Sequence, residues 1–336
     1  MNHPIPIVQV GLGPIGLELI RLIAGRPGLS VVAAVDIDPA LAGRALRELA
    51  DASIDPAVKV QHDLPGALAS ARARGGVAIL STGSRLEAIM PTLYELIGQG
   101  LHVVSTCEQL SYPWQTRSAL ARRIDEAARE AGVAVIGTGV NPGFLMDLLP
   151  VALSGMCRQV RHMHVERVQD AGTRRLPFQR KVGAGLDAEQ FEARVRQGTL
   201  RHVGLAESMH MMAAALGWDL GRVEDHIEPV LAESPIECTD GLIAAGFARG
   251  VEQTGLGFVN EREVIHLTFR AAVGEPECFE RIRLDADPPV DMQIEGGING
   301  DVATAAVVVN TVEAITRSRP GLRTMIEMPP PASRGV

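Results

Sequence analysis

Ile7-Val8-Gln9-Val10-Gly11-Leu12-Gly13-Pro14-Ile15-Gly16, taken with Val31-Val32-Ala33-Ala34-Val35-Asp36, is the stretch from which the fold is read. A short apolar run of buried-strand type leads into G-x-G-x-x-G, and a helical pattern follows. An acid then closes the next apolar run, twenty positions past Gly16. This is the dinucleotide-binding fingerprint in the context it requires. Gly11 permits the tight turn out of the strand, Gly13 lets backbone N–H groups approach a diphosphate, and Gly16 lets helix and sheet pack closely. Pro14 and Ile15 open the helix, whose positive end faces the phosphates. Ile15, Leu19, Leu22 and Ile23 form its apolar stripe, which stops at Gly25.

Asp36 is placed to accept hydrogen bonds from an adenosine ribose. Its charge, with that of Asp38 and no Arg beside them, repels a 2′-phosphate. The expected cofactor is NAD, with NADP the less favoured alternative.

From Ile5 to Ile136 strand and helix signals alternate. Apolar runs at 5–10, 31–35, 58–60, 77–80, 102–105 and 133–136 predict a six-stranded parallel, doubly wound Rossmann sheet. One intervening helix carries the stripe Leu86, Ile89, Met90, Leu93, Leu96 and Ile97. Ligands bind at the carboxyl edge of such a sheet, so its loops matter most. They are Ser81-Thr82-Gly83-Ser84, Ser105-Thr106-Cys107-Glu108 and Gly137-Thr138-Gly139-Val140-Asn141-Pro142-Gly143. Ser81, Thr82 and Thr106 are therefore assigned to the cofactor and Asn141 to the substrate.

Past residue 157 the pattern changes. A long strand at 159–170 precedes segments of period two, Ile265 to Val273, Ile282 to Leu284 and Met292 to Ile294, which predict an open antiparallel sheet. Leu205, Met209, Met212, Ala213 and Leu216 make a covering helix ended by Gly217. The fold class is thus α/β, a Rossmann sheet with a second α+β domain. The domains fall at 1–150 and 151–300. A helix starting near Val302, with Asp301 as N-cap, returns to complete the first domain over about 301–336, and Pro320-Gly321 begins a loose terminal arm.

The chain has 336 residues, 46% of them hydrophobic, enough for two cores. A net charge of −8 argues against nucleic acid. The one basic stretch, Arg174-Arg175 with Arg180-Lys181, reads as a solvated loop or a site for a small anion. No apolar run reaches the roughly 20 residues of a membrane span, and no basic segment with a hydrophobic one opens the chain, so a cytoplasmic protein is expected. Cys107, Cys157, Cys238 and Cys278 lack metal or disulfide spacing. His162 and His164 share a strand face at ligand spacing, but no third ligand accompanies them, and no metal is expected.

Glu108 is the foremost catalytic candidate: a carboxylate at the ligand edge among small hydroxyl residues can act as base or hold a cationic intermediate. By position alone it reads equally well as an acid capping a helix near Leu110.

Three blocks resemble the 2,4-diaminopentanoate dehydrogenases and the related natural amine dehydrogenases. They are Ser81-Thr82-Gly83-Ser84, the run His102 through Pro113, and Asn141-Pro142-Gly143-Phe144. Further matches are His202 to Ser208, Gly296 to Ala306 and Pro320 to Met325. The resemblance implies a dihydrodipicolinate-reductase-like nucleotide domain, a second domain for substrate binding and dimerisation, and a homodimer. It implies NAD(P)-linked oxidative deamination of an amine, reversed as reductive amination of a ketone or aldehyde with ammonia. Glu108 takes the place of the family's catalytic glutamate and Phe144 walls the pocket beside the nicotinamide. Arg167, Gln169 and His202 are carried over as substrate residues. A diamino acid substrate, a homoserine or semialdehyde-type dehydrogenase, and a non-catalytic NAD-binding sensor remain as alternatives.

Overall fold

The structure is a computed structural model, and it describes residues 4–70, 75–174 and 176–333. It divides into two compact units, residues 1–144 with 299–336, and residues 145–298.

The first unit begins with six strands, β1 (Ile5–Val10), β2 (Leu29–Val35), β3 (Val60–Gln61), β4 (Val77–Leu80), β5 (His102–Ser105) and β6 (Ala134–Gly137), all paired in parallel. The doubly wound parallel sheet expected from the sequence is present. β4 is buried at every position, as the near-continuous apolar runs of a sheet covered on both faces require. The helix Leu86–Gly98 buries Leu86, Ile89, Met90, Leu93, Leu96 and Ile97, the predicted stripe.

The second unit carries β7 (Gln159–Asp170), β8 (Arg222–Leu231), β9 (Ile236–Cys238), β10 (Gly241–Ile243), β11 (Ala248–Val259), β12 (Arg262–Ala272), β13 (Phe279–Asp287) and β14 (Val290–Glu295). β9 and β10 form a small hairpin, and the other six make one sheet in the order β14-β13-β7-β12-β11-β8. That sheet is mixed, which corrects the antiparallel expectation, because β7 runs parallel to β12. Period two reports that one face of a strand is buried and carries no information on the direction of its neighbour. The helix Leu205–Leu216 covers one sheet face through Leu205, Met209, Met212 and Ala213, and Gly217 in the left-handed region ends it.

The chain then returns to the first unit. The helix Gly300–Ile315 packs on Pro14–Ala24, and its cap is Asn299, whose Oδ1 accepts from the N–H groups of Asp301 and Val302. Asp301, expected as the cap, already lies in the first turn, where its charge complements the helix dipole. The expected loose arm is likewise ordered over its first part. β15 (Gly321–Arg323) adds a seventh parallel strand beside β6 and buries Leu322, and the 3-10 helix Met325–Glu327 follows. Three residues are too few for periodicity to register.

Candidate functional site

The glycines of the first turn differ in what they make room for. At Gly11, with φ of +91°, a Cβ would meet the Ser81 carbonyl at 2.8 Å, and at Gly16 it would stand 2.0 Å from the Gly11 carbonyl oxygen. Those two serve the packing of turn, strand and helix. A Cβ at Gly13 would meet nothing within 4 Å, so protein packing does not require that glycine. The first helical bond runs from Leu17 N–H to Gly13 O, leaving the N–H groups of Ile15 and Gly16 without a helical acceptor, and no side chain caps this end. Open space above Gly13 and orphan amides at a helix N-terminus suit a diphosphate.

Asp36 directly follows β2 beside this turn. Its Oδ2 accepts from Leu12 N–H at 2.6 Å and its Oδ1 from Asp38 N–H at 2.9 Å, so backbone amides fix both oxygens. Each retains a lone pair for a ribose hydroxyl. Ser81 is half-buried at the end of β4, where its Oγ lies 3.1 Å from the Gly11 carbonyl, and Thr82 is exposed beside it. Thr106 N–H donates to Leu80 O at 3.1 Å, holding the loop after β5 against β4.

Glu108 opens the 3-10 helix Glu108–Leu110 directly after that loop. Its neighbours are anchored on both sides. Gln109 Oε1 accepts from Leu86 N–H at 2.8 Å, and the buried Ser111 donates its hydroxyl to the Glu108 carbonyl at 2.7 Å. From behind, Gly137 approaches so closely that a Cβ would stand 2.5 Å from the Leu110 carbonyl carbon. The backbone of Glu108 is therefore fixed, while its half-buried carboxylate makes no hydrogen bond or ion pair among the described residues. A rigidly held carboxylate with open acceptor positions can take a proton or receive an N–H donor. Asn141 is buried in the loop after β6, which Val140 N–H ties to the Thr304 hydroxyl at 3.3 Å, and the half-buried Phe144 ends the first segment of this unit. Gly11, Gly13, Pro14, Ile15, Gly16, Asp36, Ser81, Thr82, Thr106, Glu108 and Asn141 thus all lie in the turns and loops at the carboxyl ends of the strands, or directly after them.

In the second unit Arg167 and Gln169 point from β7 to the buried face of the sheet. Arg167 is 2% exposed and faces Glu280 of β13 at 3.4 Å, while its Nη2 donates to Ile298 O at 2.9 Å. Gln169 Nε2 donates to the same carbonyl at 2.8 Å. Burial pulls the Arg167 guanidinium down to about 10 and pushes the Glu280 carboxyl up to about 7 against the pull of Arg167. His202 stacks on Phe269 with ring centroids 4.4 Å apart, and its Nε2 is buried without a hydrogen-bond partner. Burial, with Lys181 and Arg167 nearby, lowers its imidazole to about 3, so it is neutral at ordinary pH. Glu280 escaped the sequence reading; its one signal is an acid in the buried phase of the alternation that includes Ile282 and Leu284.

The basic stretch is solvated only in its second half, where Arg180 and Lys181 are exposed on the helix Leu176–Lys181. Arg174 is buried with its guanidinium over the Phe178 ring and Arg180 pairs with Asp240, while Arg175 lies outside the described residues. His162 faces Glu263 at 3.0 Å, and His164 Nδ1 accepts from Arg283 at 2.7 Å. Among the described residues no three His, Cys, Asp or Glu side chains are grouped to hold a metal, and no helix is long and apolar enough to cross a membrane. Cys107 is buried, and no disulfide forms among the four cysteines.

Residues 144–334 match the family model described as the 2,4-diaminopentanoate dehydrogenase C-terminal domain. The chain belongs to that family. Among its relatives is the 2,4-diaminopentanoate dehydrogenase of Acetoanaerobium sticklandii, 28% identical over 97% of this chain and 94% of that protein. The amine dehydrogenase of Streptomyces virginiae is 23% identical over 97% and 96%. The structure of an amine dehydrogenase from Mycobacterium smegmatis superposes with a TM-score of 0.86 over 98% of this chain and 97% of that one, at 18% identity, a likeness of fold. The family model spans both the mixed-sheet unit and the segment that returns to the parallel sheet.

Proposed function

We propose that this family member is a nicotinamide-dependent amine dehydrogenase in which Glu108 is the catalytic carboxylate. One observation carries the reading. The same sheet edge that holds the glycine turn and Asp36 also holds a half-buried acid whose backbone is anchored by Ser111 and Gln109 and whose carboxylate is unpaired among the described residues. The names of the two full-length relatives support the same class.

The bound dinucleotide would supply the hydride acceptor or donor. Gly13 and the amides of Ile15 and Gly16 hold its diphosphate, and Asp36 its adenosine ribose, with NAD preferred because an added 2′-phosphate would meet two acids, Asp36 and Asp38. Ser81, Thr82 and Thr106 line the same edge. In the deaminating direction the Glu108 carboxylate takes a proton from the substrate ammonium, freeing the lone pair that drives hydride departure from the adjacent carbon. Once that proton has passed to solvent, the carboxylate accepts a proton from the water that adds to the resulting iminium carbon and hands it to the carbinolamine nitrogen, so that the C–N bond breaks, ammonium leaves with the hydroxyl proton and the carbonyl forms. In reverse it receives an N–H of ammonia and orients the lone pair toward the carbonyl carbon. Phe144 and Asn141 border the reacting carbon.

Glu108→Gln keeps the shape and removes the base. Its amination rate, followed as NADH oxidation with ketone and ammonia, should fall by about 10²–10⁴-fold, while NADH binding by fluorescence titration is retained. Turnover near that of the parent would sink the assignment.

A second reading, a diamino acid substrate, is suggested by the buried His202 Nε2, which has no hydrogen-bond partner, and by the buried Arg167 guanidinium, whose Nη1 faces Glu280 at 3.4 Å. Turnover of 2,4-diaminopentanoate, set against simple ketones with ammonia, separates the two readings.

A further inference from the structure

Gln9 is the penultimate residue of β1 and has no exposed surface, between the buried apolar residues Val8 and Val10. A primary amide in such a place is costly unless its hydrogens are used. Gln9 Nε2 donates to the Gly11 carbonyl at 2.9 Å and to Ser81 Oγ at 2.9 Å. The Ser81 hydroxyl lies 3.1 Å from the same Gly11 carbonyl, so two side chains converge on one backbone oxygen. That oxygen is the atom a Cβ on Gly16 would strike at 2.0 Å, directly beneath the first turn of the helix.

The Gly11–Leu12 peptide is not among the cis bonds of the chain, so its C=O and N–H point in opposite directions. The N–H of that peptide is the Leu12 amide, and it donates to Asp36 Oδ2 at 2.6 Å. One rigid plane is therefore gripped at both ends, by Gln9 and Ser81 on the carbonyl side and by Asp36 on the amide side. If the carbonyl is released the plane can turn, and the amide that holds Asp36 turns with it.

We infer that Gln9 is a positioning residue for the dinucleotide site: by holding the Gly11 carbonyl it sets the Leu12 amide, and through it the carboxylate of Asp36 that separates NADH from NADPH. The inference rests on the proposed nicotinamide reading. It assigns to a side chain that cannot touch the cofactor a share in choosing it.

Gln9→Met keeps length and apolar volume and removes both donors. Fluorescence titration of the full-length protein with each nucleotide should show NADH binding weakened by about tenfold, the factor that one lost hydrogen bond is worth, and NADPH binding changed much less. The preference for NADH then narrows. Because Gln9 acts through Asp36, Gln9→Met introduced into Asp36→Asn should add almost no further loss, whereas two independent contributions would add. Ser81→Ala, which removes the second grip on the same oxygen, should narrow the preference in the same direction and likewise add almost no loss in Asp36→Asn, which separates it from a direct contact of Ser81 with the cofactor and carries the test should Gln9→Met not fold. Unchanged NADH affinity in these variants, equal losses for both nucleotides, or additive losses with Asp36→Asn would overturn the inference and leave the cofactor assignment standing. Failure of the parent protein to bind either nucleotide would instead remove both.

Discussion

Glu280 and His202 lie in the same unit but answer acid in opposite ways. Glu280 is pushed to about 7 by burial, so between its ordinary value near 4.5 and 7 the folded chain keeps a proton that the unfolded chain has lost, and stability falls as pH rises through that window. His202, lowered to about 3, is neutral in the fold while the unfolded imidazole takes up a proton below its ordinary 6.5, so its contribution falls as pH falls. The two slopes partly cancel between about pH 5 and 6.5. Glu280→Gln replaces a carboxyl that the fold keeps protonated below about 7 with a neutral amide of the same shape, so the melting temperature should change little near pH 5. It should also make the melting temperature rise more steeply from pH 5 to 7 than in the parent. Calorimetry at the two pH values checks this, and parallel slopes would refute it. At this scale legibility followed exposure to chemistry. Asp36 and Glu108 could be picked out because a strand end and a ligand edge give a carboxylate an expected task. Gln9 and Glu280 could not, because Ser81 and Arg167, which they meet, lie far away in sequence and a lone polar residue in an apolar run announces nothing about what it bonds.

Elements were legible where the repeat is long. The helix Leu86–Gly98 buries the stripe its sequence shows, whereas β11 was missed because Gly250, Gly255 and Gly257 weaken its strand pattern. Those glycines answer to neighbours: a Cβ at Gly250 would stand 2.1 Å from the Ala271 carbonyl oxygen, and one at Gly255 would reach Met209 Cε at 3.0 Å. Gly137 has the same character beside Glu108. Gly137→Ala must displace the 3-10 helix that carries Glu108, and should cost about 1–3 kcal/mol of stability together with a loss of turnover larger than its loss of NADH affinity. Denaturant unfolding and paired activity and binding measurements read the two effects. The capping correction can be tested in the same way. Asn299→Ala, which removes the cap, should cost about 1 kcal/mol and more than Asp301→Ala, whose side chain lies in the first turn and does not cap it. Equal costs would return the cap to Asp301.

The parallel sheet is finished by residues from the far end of the chain. Leu322 is 1% exposed on β15 and Met325 is fully buried just after it. A protein ended after Ser318 loses both and uncovers the edge of β6. At about 2–5 kcal/mol for each large apolar side chain, and 2–4 °C per kcal/mol, its melting temperature should fall by about 10 °C or more in a thermal scan. A melting temperature within a few degrees of the parent would show β15 to be an accessory. The fold class was readable because it depends on the order of strand and helix signals, which the first 140 residues state repeatedly. The seventh strand was not, because three residues after a proline carry no period. The late arrival of that strand bears on biosynthesis. On a ribosome adding about 5–20 residues per second, the whole of residues 145–320 is made between the end of the first segment and the first residue of β15, an interval of roughly 10–35 s. For that time Ala134–Gly137 presents unmatched backbone donors and acceptors on an apolar strand, a surface that invites pairing with other nascent chains.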